Sequence, residues 1–404
     1  MKTETPSAAK KIIVLGHDAS RTGAPIFLLH FTHWLQSHGG MEIEIVLKNG
    51  GPLLEEFQKI APTTVLQPAR AERAVLRLCA LLRCPPPGWL TLAAKLRRHL
   101  RRRPVALVYA NTVAVAEAVA ALEPFRLPVV WHVHELPFCV NTFGGGQPFR
   151  AAARSVGTFI AAAECVKQGL MANSGIAAEK IRVVHEFAPP EKSTTTDVAT
   201  NRAAVRTELN LPPDAFVAGM CGSVGWRKGV DWFLATAKHL AMEFAAQDIH
   251  LLWIGAGESE LVMAQVNHDL RATGLAARVK FIGVKANSRH YLAALDAFLL
   301  SSREDPFPLV MLEAASLGLP VVCFADSGGG PEFVGTDAGI VVDYADTRAA
   351  ALALVKLSES PELRRTLGTA GRQKVLSGHT IEIQAPKILR LMEQLCGRTT
   401  GNGK

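Results

Sequence analysis

Apolar and polar positions along the chain fall into short runs of alternating kind. "KKIIVLGHD" opens with four apolar residues, Ile12 to Leu15, between polar ones, which reads as a buried strand. "TGAPIFLLHFTHWLQSHGG" follows as a helix with Gly39 and Gly40 after it, the usual stop signal. "MEIEIVLKNG" alternates like a strand. "PVALVYANT" and "PVVWHVHEL" are later apolar runs, each opened by proline. This βαβα order predicts parallel sheets with helices on both faces.

The pattern lapses over 188–202, "APPEKSTTTDVATNR", which is rich in Pro, Thr and charge and lacks periodicity. It reads as a linker. The alternation then restarts with "AFVAGMCGS", a helix near 229–245, "HLLWIGAG", a helix near 258–272 and "VKFIGV". A helix near 287–294, "DAFLLSS", a helix from about 309 and "PVVCFADSG" complete it. The fold class is therefore α/β, with two doubly wound Rossmann-like domains facing a cleft. Their expected extents are 1–190 and 205–378, with a closing helix at 380–404 joined to the first. The length of 404 residues agrees with two domains.

Charge and cysteine content narrow the function classes. With 44 basic and 36 acidic residues the net charge is +8. That bias favours anionic partners such as phosphorylated ligands or lipid headgroups. Nucleic acid is not expected, because basic and aromatic residues do not interleave. Seven cysteines, an odd number without a C-x-x-C pair, point to buried thiols in a reducing compartment. The first ten residues carry no apolar signal-peptide core, and no long uncharged apolar run exists. A cytoplasmic protein is expected, with attachment to the inner face of the cell membrane as an option. No H-x-x-x-H pair, cysteine cluster or D-x-D triplet occurs, so no metal site is expected.

That option rests on "KLRRHLRRR", Lys95 to Arg103, which carries six Lys/Arg residues and His99. Leu92, Leu96 and Leu100 lie on one helical stripe. A basic helix over 92–103 can lie on an anionic membrane. Equally, its leucines can pack inward and leave a solvated face.

In open parallel sheets, ligands bind beyond the carboxyl ends of the strands. That rule selects His17 and Asp18, Asn111 and Thr112, and His134 and Glu135 in the first half. In the second half it selects Gly222 and Ser223, 255–257, Gly283, 301–307 and 325–330. In "GHDASRTGAP", Gly23 and Ala24 are small enough for a ligand to approach the backbone, and Pro25 suits a first helical turn. In "PVVWHVHELP", His132 and His134 point to one side of the strand. In "CGSVGWRKGVDWFL", Arg227 and Lys228 stand at a helix start. Two cations oppose the helix dipole there, and a bound diphosphate would resolve the conflict. The glycines of "FADSGGGPEFV" can offer amides to phosphate or sugar oxygens. Each motif also has a plain reading as a tight turn, a structural histidine or solvated charge.

Taken together, these motifs resemble the GT-B glycosyltransferases of family 4, the "group 1" enzymes. The family signature places an acid, then seven residues, then a Glu, in E-G-F-G-L-x-x-x-E-A. "DPFPLVMLEAASLGLPVV" keeps that register, with Asp305, Phe307, Leu309, Glu313, Ala314, Gly318 and Pro320 in position. "GSVGWRKGVD" is similar to the family's phosphate-binding segment. "FIG" before Val284 is similar to its base-contacting turn, "TGAP" to its glycine loop, and His134-Glu135 to its His-Asp/Glu pair. Three departures stand out. Asp305 replaces the first Glu. Pro306 and Pro308 replace two glycines and have no amide hydrogen to donate. Ser223 occupies a position often held by arginine, for which Arg227 can substitute.

The resemblance implies transfer of a sugar, with retention, from a UDP- or GDP-sugar to a hydroxyl on a glycan or lipid-linked acceptor. Cell-surface polysaccharide, lipopolysaccharide and glycolipid synthesis are the settings it implies. No cofactor and no metal are implied. His134, Lys228, Asp305 and Glu313 would be catalytic. Gly23, Ala24, Gly222, Ser223, Arg227, Gly283, Val284, Phe307, Leu309 and Val310 would join them around the donor. Asn111 and Glu135 would meet the acceptor, helped by the loop at 138–150. An epimerase or phosphorylase, or a non-catalytic binding or scaffold protein, are the alternatives on this fold.

Overall fold

A computed structural model describes residues 11–101, 104–142, 146–188 and 195–398. Expectations touching residues 1–10, Arg102, Arg103, 143–145, 189–194 and 399–404 lie outside the described residues. The chain divides into two compact units. One comprises Met1–His185 and Gln384–Lys404, the other Glu186–Ile383.

The first unit is built on seven strands: β1 Lys11–Gly16, β2 Glu42–Leu47, β3 Thr63–Val65, β4 Val105–Asn111, β5 Val129–Val133, β6 Thr158–Ala161 and β7 Ile181–Val183. They pair in parallel in the order β3-β2-β1-β4-β5-β6-β7. The second unit has β8 Phe216–Cys221, β9 Ile249–Ile254, β10 Val279–Phe281, β11 Ala297–Leu300, β12 Val321–Phe324 and β13 Gly339–Val342. Their order is β10-β9-β8-β11-β12-β13, again parallel. Each sheet thus reverses its strand order once, between β1 and β4 and between β8 and β11. A doubly wound sheet offers its crevice at that reversal.

Helices cover both faces of a parallel sheet, so its strands run apolar throughout. Leu107 to Ala110 of β4 and the whole of β9 are buried. The segment read as an alternating strand is β2. Its alternation does not mark a wet face, for Glu44 is buried too. Lys11 at 3.2 Å and His99 at 2.8 Å supply the partners that a buried carboxylate needs.

The expected linker also ends early. A helix spans Thr195–Glu208. Its inner face is held by polar groups, which conceal its period from a hydrophobicity reading. Arg202 and Arg206, one turn apart, both grip Asp296 at 2.7 Å. Arg206 is buried and also donates to the carbonyls of Ala294, Pro213 and Ala215. Helix Arg70–Leu81, unforeseen from sequence, buries none of its residues. In helix Leu92–Leu100, Leu96 and Leu100 are buried as the inward-packing alternative requires. No helix among the described residues is long and apolar enough to cross a membrane.

Candidate functional site

In the second unit the loops following β8 and β11 meet at the strand-order reversal. Gly229 makes this approach possible. It adopts φ 68°, and a Cβ there would lie 1.9 Å from the Ser301 carbonyl oxygen. Only glycine fits such a place. The Ser301 hydroxyl donates to the Lys228 carbonyl at 2.8 Å, and the Arg303 amide donates to the Arg227 carbonyl at 2.9 Å. The two loops are laced together by backbone, and their side chains converge.

Lys228 and Asp305 form a buried ion pair at the centre. The Ser302 hydroxyl donates to the same Asp305 oxygen at 3.0 Å. Arg227 stands 3.6 Å from the other oxygen and donates to the Glu304 carbonyl at 2.9 Å. Burial alone would raise the Asp305 carboxyl. Lys228, Arg227 and Ser302 outweigh it and hold the group below its ordinary value. Burial pulls the Lys228 ammonium down and Asp305 opposes it, with the balance below the ordinary value. Gly222, at φ 151°, leaves room for the Lys228 stem, which a Cβ would approach to 3.3 Å.

Pro308 caps helix Leu309–Ser316. Its first internal bonds run from Met311 and Leu312 to the Pro308 carbonyl, so the helix itself leaves the amides of Leu309 and Val310 unused. Glu313 sits one turn in. Burial pushes its carboxyl up to about 7, against the pull of Arg289 and a Ser288 hydrogen bond. Arg289 in turn donates to the Ser316 hydroxyl at 2.7 Å. Burial and the neighbouring Glu313 push the Cys221 thiol up to about 12. Phe307 is buried against Phe333 and His379, so its side chain is a core anchor.

The triple glycine has a different task from the one its composition suggested. The Gly329 amide donates to the Asp305 carbonyl at 3.1 Å, and the Asp305 amide donates to the Ser327 carbonyl at 2.8 Å. A Cβ at Gly329 would lie 2.1 Å from the Pro306 carbonyl oxygen. The run braces the signature loop from behind. Ser223 is exposed and donates to Glu258 at 3.3 Å. Gly283 takes φ 70° with open space around it, and Val284 is exposed.

A second cluster lies in the first unit, at the ends of β4 and β5. The Asn111 side-chain amide donates to the Ala24 carbonyl at 3.2 Å. Its oxygen therefore faces His134 Nε2, 2.7 Å away, which fixes the proton on that nitrogen. His134 stacks on His132 at 4.0 Å, and Phe27 closes on both rings at 5.1 Å. Glu135 accepts from the amides of Val113 and His134. The side-chain polar atoms of Asn111 and Glu135 thus bond to the protein's own groups. His17, near Asp18, Lys48 and His134, is held below its ordinary value, chiefly by burial. Gly23 is exposed, and a side chain there would meet nothing within 4 Å.

Comparison with known proteins gives this arrangement a lineage. A family model described as "Glycosyl transferases group 1" matches residues 215–360. A second, "Glycosyltransferase Family 4", matches residues 21–192. The chain belongs to the family 4, group 1 GT-B glycosyltransferases. The lipopolysaccharide core biosynthesis glycosyltransferase LpsE of Rhizobium meliloti is 29% identical over 53% of this chain and 58% of its own. A GDP-mannose-dependent mannosyltransferase of Corynebacterium glutamicum, acting on a phosphatidylinositol monomannoside, is 28% identical over 50% of this chain and 53% of its own. The chain thus spans a little over half the length of these relatives. Among solved structures, Anabaena Alr3699/HepE in complex with UDP and glucose superposes with a TM-score of 0.77 at 19% identity, covering 95% of this chain and 99% of that one.

Within this glycosyltransferase fold, the second unit assembles Gly222, Arg227, Lys228, Asp305 and Glu313 around the β8–β11 reversal. Ser223, Gly283 and Val284 border its exposed side. His134, Asn111, Glu135, Gly23 and Ala24 form the first unit's own cluster. Sequence reasoning missed the parts played by Ser302, Gly229, Arg303 and Arg289. Ser302 and Arg303 lie within the strand-end span 301–307, but the partners of Arg303 sit on the loop after β8 and the start of helix Val230–Glu243. Gly229, directly after Lys228, was the one available signal.

Proposed function

We propose that this glycosyltransferase moves a sugar, with retention at the anomeric carbon and without a metal, from a UDP- or GDP-sugar to a hydroxyl acceptor. The acceptor class is a glycan or lipid-linked glycan of cell-surface polysaccharide, lipopolysaccharide or glycolipid synthesis. The reaction is proposed for the cytoplasm, with peripheral contact to the inner face of the cell membrane near 92–103. The first unit would serve the acceptor and the second the donor.

The observation that carries this reading is the Lys228–Asp305 pair at the β8–β11 reversal, with Arg227 beside it and Glu313 one turn into the adjoining helix. A departing nucleoside diphosphate gains negative charge. Lys228, Arg227 and the amides of Leu309 and Val310 would neutralise it, and preorganised stabilisation of this kind often contributes most to catalysis. Ionised Glu313 has only acceptor lone pairs and suits two ribose hydroxyls. Asp305, already fixed by Ser302 and Lys228, would hold a sugar hydroxyl. His134 would meet the donor sugar, with Asn111 and Glu135 setting its pose from the acceptor side. The relatives' own lipopolysaccharide and glycolipid substrates support this acceptor class, and the UDP held by the structural neighbour supports the donor class.

The test is turnover and binding with a panel of UDP- and GDP-sugars. Donor hydrolysis or transfer that disappears in Glu313→Ala and Lys228→Ala is expected. Activity unchanged in both variants would overturn the site, and nucleotide binding without turnover would mark a non-catalytic GT-B binding protein.

A further inference from the structure

Helix Arg70–Leu81 ends in two nested hydrogen bonds. The Cys84 amide donates to the Cys79 carbonyl at 3.0 Å, and inside that bond the Arg83 amide donates to the Ala80 carbonyl at 3.2 Å. Arg83 takes φ 53°, in the left-handed region. Two such bonds around a left-handed residue make a Schellman motif, which brings the side chains at its two outer positions into contact. Both outer positions here are cysteine. The two thiols accordingly stand within hydrogen-bond reach of each other.

The surroundings keep them there. Pro85, Pro86 and Pro87 follow at once, and a residue before proline is confined to extended backbone. Cys84 therefore has little freedom to swing its thiol away. Cys79 is half-buried, whereas Cys84 is the one exposed cysteine of the seven. Partial burial first, and then the bond to Cys84, hold the Cys79 thiol above its ordinary value. A soluble reagent thus meets Cys84 first, with Cys79 waiting behind it. A structural metal is a poorer explanation, since no group of three metal-ligating side chains forms among the described residues.

We propose that Cys79 and Cys84 are a reversible redox pair, closed to an intramolecular disulfide by exchange with a low-molecular-weight disulfide such as oxidised glutathione. The Cys84 thiolate attacks one sulfur of the reagent, whose S–S bond breaks and releases one thiolate. Cys79 then loses its proton and attacks the Cys84 sulfur, displacing the second thiolate. The two protein protons go to the two departing thiolates, so one disulfide is reduced to two thiols as the pair is oxidised. In a reducing compartment such a bridge is transient, and an exposed one is readily reopened. None of the candidate transfer residues lies on this helix or its turn, and the bridge is measurable whether or not the chain transfers a sugar.

The experiment equilibrates the full chain with oxidised and reduced glutathione over a series of ratios. Thiols are then blocked with N-ethylmaleimide, and the chain is digested with trypsin. Cleavage after Arg77, Arg83 and Lys95 leaves the two cysteines on separate peptides, 78–83 and 84–95. These peptides should appear joined as the oxidised fraction rises, and separate again with dithiothreitol. In Cys79→Ser no resolving thiol remains, so glutathione should accumulate on Cys84 by on the order of tenfold over the parent. Cys84→Ser should leave Cys79 largely unreacted. In urea the motif is lost, and the bridged fraction at a fixed ratio should fall by on the order of tenfold. Circular dichroism matching the parent's shows that both serine variants are folded. Glutathione on Cys84 of the parent at the level of Cys79→Ser, without joined peptides, would overturn the proposal. So would joined peptides found only in a disulfide-linked dimer, or a bridged fraction as large in urea as in the folded chain.

Discussion

Lys228 and Asp305, 77 positions apart, meet as a buried ion pair because β8 and β11 are neighbours in the sheet. Neither charge has much water to fall back on. Removing one partner leaves the other charged and buried, at a cost of about 3–5 kcal/mol. Lys228→Met and Asp305→Leu should each lose about that much in urea denaturation. The double variant should lose far less than the two together, since the orphaned charge is gone. Additive losses would mean that the pair is not coupled.

Gly229 offers a purely steric test of the same site. Alanine there would need a left-handed backbone and would press its Cβ into the Ser301 carbonyl. Gly229→Ala should destabilise the protein by about 2 kcal/mol or more and displace Lys228. Weakened UDP binding alongside a lowered melting temperature is the expected result. A melting temperature equal to the parent's would show that the two loops do not approach as described.

The acidity of Glu313 gives a pH signature. In the unfolded chain this carboxyl ionises near 4.5, and in the fold near 7. Between those values the native state keeps a proton that the unfolded state has lost. The associated stability is full below about 4.5 and is lost as pH rises through about 7. Glu313→Gln should remove that slope and gain up to about 3 kcal/mol relative to the parent at alkaline pH. Ligand binding should run the opposite way, because only the ionised form accepts two ribose hydroxyls. UDP-glucose, which does not titrate in this range, should bind about tenfold tighter at pH 8 than at pH 6. A flat profile by calorimetry would remove Glu313 from the nucleotide site.

Much of this molecule was legible from period and punctuation. The strand-end rule selected Asp305 and His134 because apolar strand cores are conspicuous and polar residues collect where they stop; Lys228 stood out as a cation at a helix start, and Glu313 only through the family resemblance. What escaped was structure held by polar or solvent-facing groups. Helix Thr195–Glu208 hid because its buried face is arginine gripping Asp296. Helix Arg70–Leu81 hid because none of its residues is fully buried and two of its leucines, Leu78 and Leu81, face outward. The bracing role of Gly329 depends on a contact with Pro306 more than twenty residues away, which no local pattern encodes. The burial of Glu44 was equally silent in the sequence, since Lys11 and His99, which make its carboxylate tolerable, lie on other elements.

Arg303 provides the last test, since it acts on the site from outside it. Its guanidinium takes both Asp231 oxygens, donates to the Trp226 carbonyl at 2.8 Å and lies 4.2 Å above the Trp232 ring. Its own amide holds the Arg227 carbonyl. The side chain therefore clamps the loop that carries Arg227 and Lys228. Lysine retains the charge but lacks the planar fork and the stacking surface. Arg303→Ala and Arg303→Lys should both raise the dissociation constant for UDP, by on the order of tenfold. If net charge alone mattered, Arg303→Lys would bind UDP as the parent does, and that result would dismiss the clamp. Asp231→Asn separates the two further: it removes a negative charge beside the site yet should weaken binding, because the fork loses its anchor. Tighter UDP binding in Asp231→Asn would assign the effect to bulk electrostatics instead.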